Sequence, residues 1–404
     1  MARTIVIVGT LDTKGEDLRL LRDLIRARGL ATLVVDFGIL GEPPFEPDVR
    51  AEAVARAGGG NLADLRAAHD KTLAMRTMER GLVQVVADLH ASGRLHGIIG
   101  AAGGSGTSII TAAMRQLPVG VPKLVVSSVA AVGDVAQYLG TRDITLMPSV
   151  VDVAGVNSIS RRIYANAAGA IAGMVEQSVP AGSDDRPIIC ASMFGNTTPC
   201  VGRIKEVLQA AGYEVLVFHT TGSGGRTMEA LIQDGLVVAN CDVTTTELAD
   251  EVCGGVMSAG PERLMAAARA GIPTVIAPGC VDMVNFWRRE TVPERYRSRQ
   301  LYEWNPNVTL MRTNVEENGR IGAMIARAAN ESRGPVAVLL PLRGVSQLDS
   351  PGGAFWDPQA DAACFDAIRN HLRADIPLIE VDANINDPAF ADRAAGTLLE
   401  LIHG

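Results

Sequence analysis

Residues 96–108 read His-Gly-Ile-Ile-Gly-Ala-Ala-Gly-Gly-Ser-Gly-Thr-Ser. Ile98 and Ile99 close an apolar run of the kind that a buried parallel strand carries. Gly100, Gly103, Gly104 and Gly106 follow, and Thr107 and Ser108 lead into a helical stretch at Ile109–Met114. Glycine lets a backbone approach a ligand closely, and the first amides of a helix have no partner inside it. A strand, a glycine turn, a hydroxyl pair and a helix start together describe a seat for phosphate or carboxylate. The spacing matches neither G-x-x-x-x-G-K-[ST] nor G-x-G-x-x-G, so a tight turn without a ligand stands as the competing reading.

Working outward, Thr4–Val8 reads as a strand, Gly9–Gly15 as its loop, and Glu16–Arg28 as a helix capped by Gly29. Thr32–Val35 is a second strand ending in Asp36, the position from which an acid reaches a ribose hydroxyl in nucleotide folds; capping of the next turn is the alternative. Leu62–Gly93 is helical at both ends, with Met75, Met78, Leu82 and Val86 on a core face. Lys123–Ser127 and Thr145–Met147 are further strands, and Ile159–Gln177 is an amphipathic helix. Val179–Pro187 is the clearest linker, combining Pro, Gly, Ser and acids. It divides the chain into residues 1–180 and 186–404.

The pattern then starts again. Strands are expected at Ile188–Ser192, Glu214–Phe218, Leu236–Ala239 and Thr274–Ala277, each followed by a loop rich in Gly, Thr, Asn or Asp. Later strands are expected at Val308–Met311, Val336–Leu340 and Ile376–Val381. Alternating strands and helices indicate an α/β fold of two Rossmann-like domains, each a mainly parallel sheet flanked by helices, with a cleft between them. Ligands bind outside the carboxyl ends of such strands. The polar, arginine-rich stretch Glu290–Asn307 either covers the second crevice or is a surface excursion.

At 404 residues, with 47% hydrophobic and 20% charged residues, the chain has the make-up of a soluble globular protein of two or three domains. A net charge of −8 and the lack of a basic stripe argue against a nucleic-acid partner. No apolar run is long enough for a membrane span, and the opening residues lack a secretory h-region, so a cytoplasmic location is expected. Six cysteines without C-x-x-C spacing read as free thiols. Only Lys14, Lys71, Lys123 and Lys205 are lysines among 37 basic residues, which singles out Lys14 and Lys205 near strand-end loops.

The stretches Gly9–Gly15, Met193–Cys200, Thr244–Asp250, Pro278–Phe286 and Thr309–Thr313 resemble an uncharacterised bacterial family related to the ATP-binding N-terminal domain of the tomato mosaic virus resistance protein. The resemblance covers essentially the whole chain. It implies two Rossmann-like subdomains, ATP binding and a homodimer. It supplies no reaction. Around Tyr302–Pro306 the chain departs from the histidine expected in relatives.

The residues suggest roles for a nucleotide and a metabolite. Gly103, Gly104, Ser105, Gly106 and Thr107 would seat a triphosphate, with Gly9, Thr10 and Ser128 on neighbouring strand ends. Lys14 would neutralise a phosphate. Asp12 would hold Mg2+, or serve as an Asx-turn acceptor. In the second domain Asn196, Thr197 and Thr198 form either an N-cap or a second anion seat. Gly224, Gly225, Thr245 and Arg312 are candidates for binding a small anionic metabolite. His219, Glu247 and Asp282 are candidate acid–base groups, Glu247 having capping-box spacing from Thr244 as its alternative. The expected function is an ATP-binding protein, acting as an enzyme on a small acidic metabolite. The rivals are a hydrolase or lyase on a small carboxylate without ATP turnover, and a non-catalytic nucleotide-gated module.

Overall fold

The computed structural model describes residues 3–178 and 186–404. The linker read at Val179–Pro187 therefore lies, from 179 to 185, outside the described residues. The chain divides into two compact units, Met1–Ala181 and Gly182–Gly404.

The first unit runs β1 (Thr4–Gly9), α1 (Leu11–Arg26), β2 (Ala31–Asp36), α2 (Ala51–Ala57), α3 (Leu62–Ala68), α4 (Lys71–Ala91), β3 (Gly97–Ala102), α5 (Gly104–Met114), β4 (Lys123–Ser127), α6 (Ala136–Leu139), β5 (Thr145–Pro148) and α7 (Ser158–Glu176). Its five strands are parallel in the order β2-β1-β3-β4-β5. The sheet is buried on both faces. Val6, Val8 and Ile98 pack toward α4 and α5, whereas Ile5, Ile7 and Ile99 pack toward α1 and α7. The strand order reverses between β1 and β3, which opens a crevice at their carboxyl ends.

Several boundaries differ from the sequence reading: β3 runs on through Gly100 to Ala102, and α5 begins at Gly104, ahead of Ile109. The stretch Gly9–Gly15 is not a loop, because α1 begins at Leu11 directly behind β1. Residues 62–93 form two helices, α3 and α4, separated by His69 in the left-handed region (φ 51°) and by the N-cap Asp70.

The second unit runs β6 (Ile188–Met193), α8 (Thr198–Ala210), β7 (Glu214–His219), α9 (Ser223–Gln233), β8 (Ala239–Thr244), α10 (Thr246–Cys253), α11 (Met265–Ala270), β9 (Thr274–Gly279), β10 (Met283–Phe286), β11 (Leu301–Asn305), β12 (Val308–Arg312), α12 (Val315–Asn330), β13 (Val336–Pro341), α13 (Pro358–His371), β14 (Leu378–Val381) and α14 (Pro388–His403). Six strands are parallel in the order β14-β13-β9-β8-β6-β7. The fold class is thus α/β, with two mainly parallel sheets flanked by helices. The third strand of this unit begins at Ala239 rather than Leu236, which moves Cys241–Thr244 from loop into sheet.

β10, β12 and β11 form a separate antiparallel sheet that the periodicity did not reveal. Its inner side chains Met283 and Leu310 join Phe194, Met257, Cys280, Leu348 and Phe355 in one buried cluster. β10 and β12 therefore pack inward, while β11 presents Tyr302 and Trp304 to solvent. All six cysteines are free and buried.

Candidate functional site

A cavity of about 640 Å³ in the first unit lies at the β1/β3 reversal. Its floor is apolar, made by Phe37, Ile39, Leu65, Met75, Met78 and Ile109. Its polar lining comes from Thr10, Asp12, Thr13, Ser105 and Gly106 behind β1 and β3, and from Arg66, His69, Asp70 and Lys71 around the break between α3 and α4.

The start of α5 forms part of that lining. Its first intrahelical bond runs from Thr107 N to Gly103 O at 2.9 Å. Among the described residues no acceptor meets the amides of Gly104, Ser105 and Gly106, and the N-cap Gly103 offers no side chain. The glycines there differ in what demands them. A Cβ on Gly106 would sit 2.7 Å from Ala102 Cβ, so helix–strand packing needs glycine at that position. A Cβ on Gly103 or Gly104 would meet only Ser128 Oγ at 3.7 Å or Val129 Cγ1 at 3.5 Å, which are ordinary contacts. Neither residue has positive φ. Neither packing nor a positive φ therefore requires glycine at positions 103 and 104.

Other residues expected here are engaged elsewhere. Asp36 does not await a ribose: its buried Oδ1 accepts from Leu11 N at 2.9 Å and Gly38 N at 2.8 Å, capping α1. Burial raises its pKa. The Lys14 ammonium donates to the Val153 carbonyl and is not a crevice cation. Asp12 Oδ2 accepts from Leu40 N at 2.6 Å and Gly41 N at 3.3 Å, bracing the loop behind β2. Its Oδ1 is buried without a partner. Thr10 Oγ1 bonds Thr13 Oγ1 at 2.8 Å. Gly9 is needed for packing, since a Cβ would meet Leu18 Cδ1 at 2.3 Å. Thr107 turns its hydroxyl inward to Gly103 O and Ser127 Oγ. Ser128 is half-buried, its amide on Ala102 O.

In the second unit the corresponding glycine turn is filled. Gly222 N and Gly225 N both donate to Glu247 Oε1, at 2.7 and 3.1 Å. Glu247 Oε2 accepts from Arg263 Nε at 2.6 Å. Arg263 in turn grips Asp242 with two bonds, at 2.5 and 2.6 Å, and reaches Glu229 at 3.2 Å. Glu247 is therefore neither a capping-box acceptor nor a free acid–base group: it is the anion that occupies the start of α9. A Cβ on Gly225 would lie 2.0 Å from Glu247 Oε2, and one on Gly224 would lie 1.8 Å from His219 O. Packing alone requires both glycines.

Arg312 is buried with its donors on Phe355 O, Thr313 and Asp361 Oδ1, the last at 2.7 Å, so it is not available to a metabolite. Asp282 is fully buried; Oδ2 accepts from Ser346 Oγ at 2.8 Å and Oδ1 has no partner. Burial, with Asp349 nearby, pushes its pKa up to about 7. His219 is exposed at the end of the edge strand β7, its ring 5.5 Å from that of Phe194. Among the described residues no hydrogen bond or ion pair joins His219, Glu247 and Asp282. Thr197 Oγ1 bonds Thr244 Oγ1 at 2.9 Å, and Thr245 Oγ1 donates to Ala277 O. Asn196 is buried, and Thr198 is exposed with its hydroxyl on Gly195 O. These residues hold the ends of the sheet together.

The sequence reading passed over Arg66, His69 and Lys71. The signal for Lys71 was present, since it is one of four lysines and follows Asp70, a good N-cap. Among the described residues no group of three or more His, Cys, Asp or Glu is placed to hold a metal.

Residues 3–180 match the model of the N-terminal domain of the uncharacterised protein family UPF0261, and residues 186–402 match that of its C-terminal domain. The chain belongs to the UPF0261 family. A UPF0261 protein of Clostridium tetani is 45% identical over 403 residues, with 100% of each chain covered. The UPF0261 protein RA0729 of Rhizobium meliloti is 46% identical over 401 residues, with 99% of each covered. The ToMV resistance protein Tm-1(GCR237) of Solanum lycopersicum is 36% identical over 426 residues. That alignment takes in 98% of this UPF0261 chain and 55% of the tomato protein.

Proposed function

We propose that the first unit binds a nucleoside phosphate, ATP in the first instance, with a phosphoryl group on the amides of Gly104, Ser105 and Gly106. The observation that carries this reading is the set of three unpartnered amides on the rim of a crevice with an apolar floor. The helix start supplies donors and a positive dipole end; the Met and Leu floor takes the base. Asp12 would hold magnesium, because it lines the crevice and its Oδ1 is a buried carboxylate oxygen without a partner. Magnesium needs only one or two carboxylates beside phosphate and water, and it would neutralise phosphate charge.

The reading is one of binding rather than turnover. Of the groups expected to process an acidic metabolite in the second unit, Glu247, Asp282 and Arg312 are tied into that unit's own network, and His219 stands apart from them, exposed at the end of β7. This favours the nucleotide-gated module over the enzyme. The homodimer and the cytoplasmic location expected from resemblance and composition belong to the same proposal, and sedimentation of the intact chain tests the dimer. Among the described residues no helix is long and apolar enough to cross a membrane.

Calorimetry of the intact chain with ATP and magnesium tests the central reading. Binding by the wild type and its loss in Gly104→Val, with an unchanged circular dichroism spectrum, is the expected result. Equal affinity in the two proteins would place the phosphate elsewhere.

A further inference from the structure

The lining of the crevice includes a second helix start. α4 begins at Lys71 behind Asp70, whose carboxylate accepts from Leu73 N at 3.0 Å. Among the described residues the amides of Lys71 and Thr72 meet no acceptor. Residues at the starts of both α5 (Ser105, Gly106) and α4 (Asp70, Lys71) thus line the same crevice.

The cations lining the crevice are not equivalent. Arg66 is held by the carbonyls of Ile39 and Gly41, at 2.9 and 3.0 Å, and lies 3.5 Å from Glu42. Lys71 is exposed, and among the described residues no carboxylate stands within ion-pair distance of it. Elsewhere in the unit, Lys14 is fixed on Val153 O, and Lys123 is buried on Pro118 O, Val121 O and Asp143. The Lys71 ammonium is thus an uncommitted cation on the wall of the crevice.

We infer that Lys71 reads the length of the phosphate chain, so that the crevice selects nucleoside polyphosphates over monophosphates. This inference rests on the nucleotide reading above. A crevice of about 640 Å³ is wider than one phosphoryl group. A monophosphate seated on the α5 amides leaves Lys71 without an anion. A di- or triphosphate continues from that seat toward α4, where the ammonium and the amides of Lys71 and Thr72 receive the terminal phosphoryl. Lysine suits this task as a flexible point charge that follows a moving phosphate.

The test is calorimetry with AMP, ADP and ATP, each with magnesium, on the wild type, Lys71→Met and Gly104→Val. Lys71 is exposed, so its replacement leaves the fold intact. Lys71→Met is expected to weaken ATP about tenfold, in keeping with the loss of one charge-assisted contact, and to leave AMP within about twofold. Gly104→Val is expected to weaken all three nucleotides together. If Lys71→Met weakens AMP as much as ATP, or leaves ATP unchanged, the role of Lys71 is overturned while the nucleotide site stands. A wild-type protein that binds none of the three at millimolar concentration overturns both.

Discussion

The two units carry the same device, a glycine turn at a helix start behind a parallel strand, and differ in what fills it. In the first, the amides of Gly104, Ser105 and Gly106 have no acceptor among the described residues, and Ser105 and Gly106 line the crevice. In the second, Gly222 N and Gly225 N hold Glu247, which Arg263 secures from behind. A protein carboxylate there occupies the place that a ligand anion would take in the first unit. The crevice ends of the second sheet are closed further by the cluster of Phe194, Met283, Leu310 and Phe355. A glycine-rich turn thus marks a place where backbone donors converge; whether they serve a ligand depends on carboxylates brought from distant parts of the chain.

The strongest break of this comparison removes the counter-ion of the filled turn. Arg263→Met leaves Asp242, Glu247 and Glu229 buried around an apolar side chain. A loss of about 3–5 kcal/mol is expected, as for breaking one side of a buried ionic network, read as a lowered denaturant midpoint of the intact chain. A loss below about 1 kcal/mol would mean that Glu247 is not held as an ionic plug.

The glycines themselves provide the next test. Gly225→Ala drives a Cβ into the Glu247 carboxylate and should destabilise by about 1–3 kcal/mol. Gly104→Ala meets only ordinary contacts and should stay within about 0.5 kcal/mol of the wild type, or gain slightly from helix propensity. Equal losses in thermal or denaturant unfolding would erase the distinction between a packing glycine and a ligand glycine.

The smallest effect concerns buried acids of the second unit. The Asp282 carboxyl, with its pKa near 7, keeps its proton in the folded protein between about pH 4 and 7, where the unfolded chain has released it. Its stabilisation is full below about pH 4 and is lost as pH rises through 7. The stability of the wild type relative to Asp282→Asn should therefore fall by on the order of 1–2 kcal/mol between pH 6 and 8. Parallel pH profiles for the two proteins would show Asp282 ionised throughout.

Much of the fold was legible because parallel strands read as short apolar runs and glycines punctuate their ends. β1, β3, β6 and β13 lie where hydrophobicity puts them. α1 was placed too late because its first turn, Leu11–Lys14, is polar but for one residue, and Lys14 is itself non-helical at φ −125°. β12 was legible as a strand at Val308–Met311, but its antiparallel partners β10 and β11 were missed because short strands carrying Asn and Glu have no distinctive period. The glycine turn of the first unit was the right focus for a crevice, yet its presumed helpers were not. Asp36 and Glu247 both cap helix starts across 22 to 25 residues of sequence, a relation that local spacing does not encode. Lys71 came to the crevice through the break between α3 and α4, and one helical period spanning 62–93 conceals that break.

The most direct measurement is a glycine-selective 15N spectrum of the intact protein titrated with ATP and magnesium. The amides of Gly104 and Gly106 should shift on saturation, while those of Gly222 and Gly225, already bonded to Glu247, should hold still. Movement of Gly222 and Gly225 with Gly104 and Gly106 unmoved, or no movement at either turn, would contradict the account.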